Sequence, residues 1–276
     1  MILDRQFLKI ANTSLDPFVG NSGTENMACL LYSMARMLRP KTVVEYGSGY
    51  TTLFLLAALA ENASDVVEES FLLRAKTEKT IGSDFTKLSR TTAAEWVEAG
   101  GKACGVDPGF YLNRCSPRLY SIEQLPSSHE YPIRVSKTVA ELNLEQYFVY
   151  LPGRQASADT LPAQAFPVDL AWNDDEHYME FFDEFWERLN PEGGLMIFHN
   201  TVSSEPFWKI ISSIKARRLE AGDMEIMTLP EPHKLNQNSC TVLRRMGNYR
   251  PSFETKTPDR VFDDLNRFMR NKAEKS

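Results

Sequence analysis

Three clusters of residues have types and spacing suited to chemistry. In the first, Glu45-Tyr-Gly47-Ser-Gly49-Tyr-Thr51, two glycines let the backbone approach a ligand that a Cβ would exclude. In the second, Glu123 ends an apolar run, and an ionised carboxylate, being acceptor-only, suits a pair of sugar hydroxyls. The third joins Asp174, Tyr178, His199 and Asn200. An imidazole titrating near pH 6.5 can take a proton at neutral pH, which makes His199 the preferred base. Each has an ordinary explanation as well: a turn with incidental glycines, a solvated glutamate, a histidine that only orients its loop.

The elements that must position these residues alternate. Strands are expected at Thr42–Glu45, Arg118–Glu123, Tyr147–Leu151, Val168–Trp172, Leu195–Phe198, Met224–Leu229 and Cys240–Arg244. Ser22-Gly-Thr-Glu25 has capping-box spacing and opens a helix to about Leu38. Further helices are expected at Thr51–Glu61, Ser136–Leu144, from Tyr178 through Leu189, Pro206–Leu219 and Asp259–Arg270. Residues 63–116 read as a helical insertion, with stretches at Asp65–Lys79 and Thr91–Ala99. Residues 1–21 read as a lid segment over a single 1–276 domain. The last two strands lie too close for a crossover helix and predict an antiparallel edge pair.

The expected fold is therefore α/β: a doubly wound, mostly parallel seven-stranded sheet, helices on both faces, and an antiparallel edge strand. Ligands on such sheets sit beyond the carboxyl ends of the strands, where all three clusters fall.

Composition agrees. The 276 residues carry 31 Lys and Arg against 37 Asp and Glu, a net charge of −6, with 42% hydrophobic residues. An acidic chain without a dense basic run is not expected to bind nucleic acid. No apolar run spans a bilayer and no secretory signal opens the chain, so a cytoplasmic protein without membrane contact is expected. Four scattered cysteines suggest neither a disulfide framework nor a zinc knuckle.

From about Ser22 to Arg245 the chain resembles class I S-adenosylmethionine-dependent methyltransferases, whose fold is Rossmann-like. The glycine loop resembles E-x-G-x-G. Val168-Asp-Leu-Ala-Trp-Asn-Asp-Asp-Glu-His-Tyr178 resembles D-L-x-F-I-D-G-x-H-x-Y, and Leu189-Asn-Pro-Glu-Gly-Gly-Leu-Met-Ile-Phe-His-Asn200 resembles the family's L-x-P-G-G segment ending in H-D or D-N.

The resemblance implies S-adenosylmethionine as cofactor. Its methionine moiety would lie near Glu45, Gly47, Gly49 and Thr51, its ribose on Glu123, and Asp174 beside the sulfonium or an acceptor amine. His199, Asp174 and Tyr178 would carry catalysis, Tyr178 by offering an aromatic face to the sulfonium. Tyr46, Tyr50 and Trp172 also bracket the crevice, Trp172 reading more simply as core. Two departures stand out: the insertion separates Gly49 from Glu123, and no acidic residue after the third strand matches adenine, Asp159 being a poor candidate. Some relatives bind Mg²⁺ at these strand ends. Here His199 interrupts the oxygen ligands, so no metal is expected; one that bound would take Asp174, His199 and Asn200.

The implied function is methyl transfer to the oxygen or nitrogen of a small molecule, with a homodimer compatible. An alternative is a cyclase that converts S-adenosylmethionine into azetidine-2-carboxylate and methylthioadenosine. A third reading is a catalytically silent binding protein.

Overall fold

The computed structural model describes residues 3–17, 23–81, 116–152 and 157–247, together with Phe110. Seven strands form one sheet: β1 Thr42–Tyr46, β2 Arg118–Glu123, β3 Phe148–Pro152, β4 Leu170–Asn173, β5 Leu195–His199, β6 Met224–Pro230 and β7 Ser239–Arg245. Their spatial order is β3-β2-β1-β4-β5-β7-β6. The first five are parallel, and β7 runs antiparallel to both β5 and β6, leaving β6 at the edge. Strand order reverses between β1 and β4, so their carboxyl ends open a crevice.

Successive strand residues face opposite sides. Val43, Trp172 and Ile197 join one core, under α2 (Glu25–Leu38), the first turns of α3 (Tyr50–Ile81) and α4 (Glu130–Glu141). Val44, Ala171 and Phe198 join the other, beneath α5 (Tyr178–Phe185) and α6 (Glu205–Leu219). Both faces of a central parallel sheet are thereby covered, as its apolar strands require. A further helix, α1 (Arg5–Ser14), is capped by Asp4, which accepts from the Phe7 amide at 2.8 Å; Phe7 packs edge-on against Phe54.

Several boundaries differ from expectation. The helix expected from Ser22 begins at Glu25 behind Thr24, whose side chain makes no cap hydrogen bond; Ser22, and with it the expected capping box, lies outside the described residues. The Thr51–Glu61 helix does not stop where its apolar run ends. It continues to Ile81 and takes in the helical stretch expected at Asp65–Lys79 without a break, because Arg36 and Arg39 of α2 reach across to its charged side. Arg36 meets Asp65 at 2.5 Å and Glu61 at 3.4 Å, and Arg39 pairs with Glu69. Helix α4 starts six residues before the expected Ser136, with Pro132 in its first turn, where a missing N–H costs nothing. The remainder of the insertion at 82–115, apart from Phe110, and the expected helix Asp259–Arg270 lie outside the described residues. Among the described residues no helix is long and apolar enough to cross a membrane.

Candidate active site

The glycine loop leaves β1 with Gly47 at φ +85°, a conformation natural to glycine. A Cβ there would touch the Asp174 carbonyl oxygen at 3.4 Å. The Gly47 amide donates to Ile122 and the Asp174 amide to Tyr46, so the ends of β2, β1 and β4 are tied together.

Glu45 does not reach the crevice. It is fully buried, on the same sheet face as Val43, and its carboxyl accepts from the Thr52 hydroxyl at 2.6 and 3.0 Å. Thr52 in turn accepts from the Gly49 amide at 2.7 Å. Burial pushes the Glu45 carboxyl well above the usual carboxylate range, partly offset by Thr52 and reinforced by Asp174 and Glu123. Thr51 is also buried, its hydroxyl unpartnered. Glu45 therefore supports the loop from below through Thr52, a residue outside the expected set, while Thr51 is packed beneath the loop without a polar contact to it.

Glu123 is buried at the end of β2, aligned with the loop. One carboxylate oxygen accepts from the Ser48 amide at 2.9 Å and the Ser48 hydroxyl at 2.6 Å; the other accepts from the Leu125 amide at 3.1 Å. Gly47, Ser48, Gly49, Glu123 and Asp174 line a cleft of about 460 Å³, which the end of α1 and residues 13–17 wall on another side. Tyr50 lines it too, its hydroxyl donating to Asn12 at 2.7 Å, whereas Tyr46 packs on Phe181 and Phe185.

Two cleft residues, Tyr131 and Arg134 on α4, were not foreseen, because α4 was expected to begin after them. Burial, with the Asp174 and Glu123 charges, pushes the Tyr131 hydroxyl up to about 12. That hydroxyl would lie 2.8 Å from a Cβ on Gly49. Gly49→Ala should therefore lower stability by about 1 kcal/mol, the lower end of an overpacking cost. Adding Tyr131→Phe should recover at least half, read as thermal denaturation; no recovery would place the cost elsewhere.

At the other strand ends, His199 is 2% exposed. Its Nδ1 lies 2.7 Å from the Asp174 carboxylate, its Nε2 is buried without a partner, and its ring sits 5.8 Å from that of Trp172, which is core. Asp174, Tyr178, His199 and Asn200 line a second cleft of about 440 Å³, and Asp174 belongs to both. Tyr178 is buried against Phe198 and Phe207, and its hydroxyl donates to the His199 carbonyl. Burial first, then Asp174, holds that hydroxyl protonated far above its ordinary range. Tyr178 thus fixes the end of β5 as well as forming a wall. Asn200, at φ +57°, accepts from Ser203 through its side-chain oxygen.

Of the residues that a metal would take, Asp174 and Nδ1 of His199 are matched to each other at direct hydrogen-bond length, and the Asn200 side-chain oxygen accepts from Ser203. Glu25, Glu231 and His233 also cluster, but both glutamates hold the Lys234 ammonium, 2.7 Å from Glu25 and 2.9 Å from Glu231. Asp159 pairs with Arg188 outside both clefts. Residues 153–156, where an adenine contact was sought, lie outside the described residues.

No protein-family model and no curated protein matches the chain. Solved structures do. The O-methyltransferase TomG from Streptomyces achromogenes, involved in tomaymycin synthesis and crystallised with S-adenosylmethionine, superposes with a TM-score of 0.57 at 15% identity. The match covers 88% of this chain and 91% of that one. An O-methyltransferase from Bacillus cereus in complex with S-adenosylhomocysteine gives 0.52 at 11% identity, over 87% of this chain and 88% of that one. The chain thus has the fold of the class I S-adenosylmethionine-dependent methyltransferases.

Proposed function

We propose that the chain is an S-adenosylmethionine-dependent methyltransferase acting on the oxygen or nitrogen of a small molecule. The observation that carries this reading is the meeting of two clefts at Asp174, one built on the glycine loop and Glu123, the other on His199. The residues fit the cofactor: a glycine in a left-handed conformation opens the loop, and a buried carboxylate faces the same space.

When bound, S-adenosylmethionine supplies an electrophilic methyl group on a sulfonium. The loop backbone at Gly47 and Gly49 borders the methionine portion, its shape fixed from beneath by Glu45 and Thr52. Glu123 accepts the ribose hydroxyls, a carboxylate having lone pairs beyond those used by Ser48 and Leu125. Asp174 keeps a proton on Nδ1 of His199, leaving Nε2 to take the proton that the acceptor loses and Asp174 to stabilise the resulting imidazolium.

Conversion of the cofactor alone into azetidine-2-carboxylate and methylthioadenosine has no use for a second cleft, so that cleft favours transfer to an acceptor. Calorimetry should show S-adenosylmethionine and S-adenosylhomocysteine binding. Incubation with S-adenosylmethionine alone should leave it intact, with S-adenosylhomocysteine formed when acceptors are added. Accumulating methylthioadenosine would overturn methyl transfer, and absence of binding would overturn the cofactor itself.

A further inference from the structure

The second cleft has a charge pattern that the fold does not require. Three consecutive carboxylates, Asp174, Asp175 and Glu176, line it together with His199, Tyr178 and Phe207. No lysine or arginine lines it among the described residues, and none of the three carboxylates forms an ion pair with one. Asp174 is matched to His199 at 2.7 Å. Asp175 accepts from the Glu176 amide at 2.6 Å and lies 3.1 Å from Nδ1 of His177. Glu176 is exposed.

Such a row stores mutual repulsion unless something positive enters. An independent feature calls for a polar partner at this end of the cleft. His199, 98% covered because its exposure is 2%, lines the cleft with Nε2 lacking a hydrogen-bond partner, although a buried polar atom of this kind ordinarily has one. The Tyr178 and Phe207 rings, 5.0 Å apart between centroids, add a π surface that also favours cations.

Resting on the methyltransferase reading for what happens next, we propose that this cleft selects an acceptor bearing a protonated amino group. The ammonium is anchored by Asp175 and Glu176, and the group to be methylated faces His199. An acceptor carrying a carboxylate or phosphate in place of the amine meets three like charges and is rejected.

The test uses matched pairs of opposite charge: tyramine against 3-(4-hydroxyphenyl)propionate, ethanolamine against glycolate, and 4-aminobutan-1-ol against 4-hydroxybutyrate. Binding to the full chain is measured with and without S-adenosylhomocysteine, so that no turnover is needed. In at least one pair the amine should bind about fivefold or more tightly than its anionic counterpart, in line with a rim charge–charge preference. The preference should fall below about twofold in the Asp175→Asn, Glu176→Gln double variant, whose asparagine keeps the oxygen that holds the Glu176 amide.

Equal or reversed preference in every pair, or a preference that survives in the double variant, overturns the proposal. Because S-adenosylhomocysteine affinity is recorded in the same titrations, failure of the cofactor reading shows as lost nucleoside binding. Failure of the acceptor reading shows as intact nucleoside binding without charge selection.

Discussion

His199→Gln is expected to reduce kcat by about 10²–10⁴-fold, the range for loss of a positioned general base. The Kd for S-adenosylmethionine should change by less than about threefold, because a group acting only in the transition state leaves ground-state binding alone. The argument is geometric. Asp174 engages Nδ1, so the neutral ring carries its proton there and Nε2 holds the lone pair. Glutamine fills similar space and can keep a contact with Asp174, but its amide takes up no proton near neutral pH.

A merely orienting histidine would behave differently, since Tyr178 fixes the strand end through the His199 carbonyl, which the substitution retains. The pH profile separates the roles further: a lost base removes the limb on which activity rises with pH, whereas a displaced loop lowers the whole profile. Asp174→Asn should disturb both quantities, because Asp174 borders both clefts. Turnover of His199→Gln within about threefold of the parent would exclude His199 as the base.

The strands were legible in the sequence because each is a short apolar run closed by polar residues, and the crossover rule then places those closing residues in one crevice. Glu45 shows what the motif conceals. Alternation along β1 puts it on the face of Val43, beneath α3, so its direction could have been taken from period-two counting rather than from its place in a ligand-binding pattern. The same counting puts His199 with Ile197 on one face, beside Trp172, and Phe198, on which Tyr178 packs, on the other.

Tertiary forces hid the rest. The charged stretch Asp65–Lys79 is helical as expected, but that it continues the Thr51–Glu61 helix as one α3 rests on cations from α2 that hold its charged half, a cause that no local window contains. Tyr131 escaped because α4 begins at Glu130, six residues before the helix expected from Ser136. The acidic row at 174–176 was visible as composition, but its lack of cationic neighbours appears only once the cleft is assembled.

Glu123→Ala should weaken S-adenosylmethionine binding by about 1.5–3 kcal/mol, the scale of hydrogen bonds to a charged group, or about 10- to 150-fold in Kd. The carboxylate has two duties here, since it also holds the amide and hydroxyl of Ser48 in the glycine loop. Three variants separate them. Ser48→Ala keeps the amide hydrogen bond and removes the hydroxyl that shares the same carboxylate oxygen, freeing a lone pair for ribose, so its affinity should equal or exceed the parent's. Glu123→Gln keeps one acceptor oxygen and replaces the other with a donor, which conflicts with either the Ser48 or the Leu125 amide; its loss should fall between those of Ser48→Ala and Glu123→Ala. If Glu123 served the loop alone, Ser48→Ala would weaken binding in proportion to the hydrogen bond removed, and Glu123→Ala would lose thermal stability without a separate loss of affinity. Parent-like affinity in Glu123→Ala, measured by calorimetry on folded protein, would move the ribose contact away from β2.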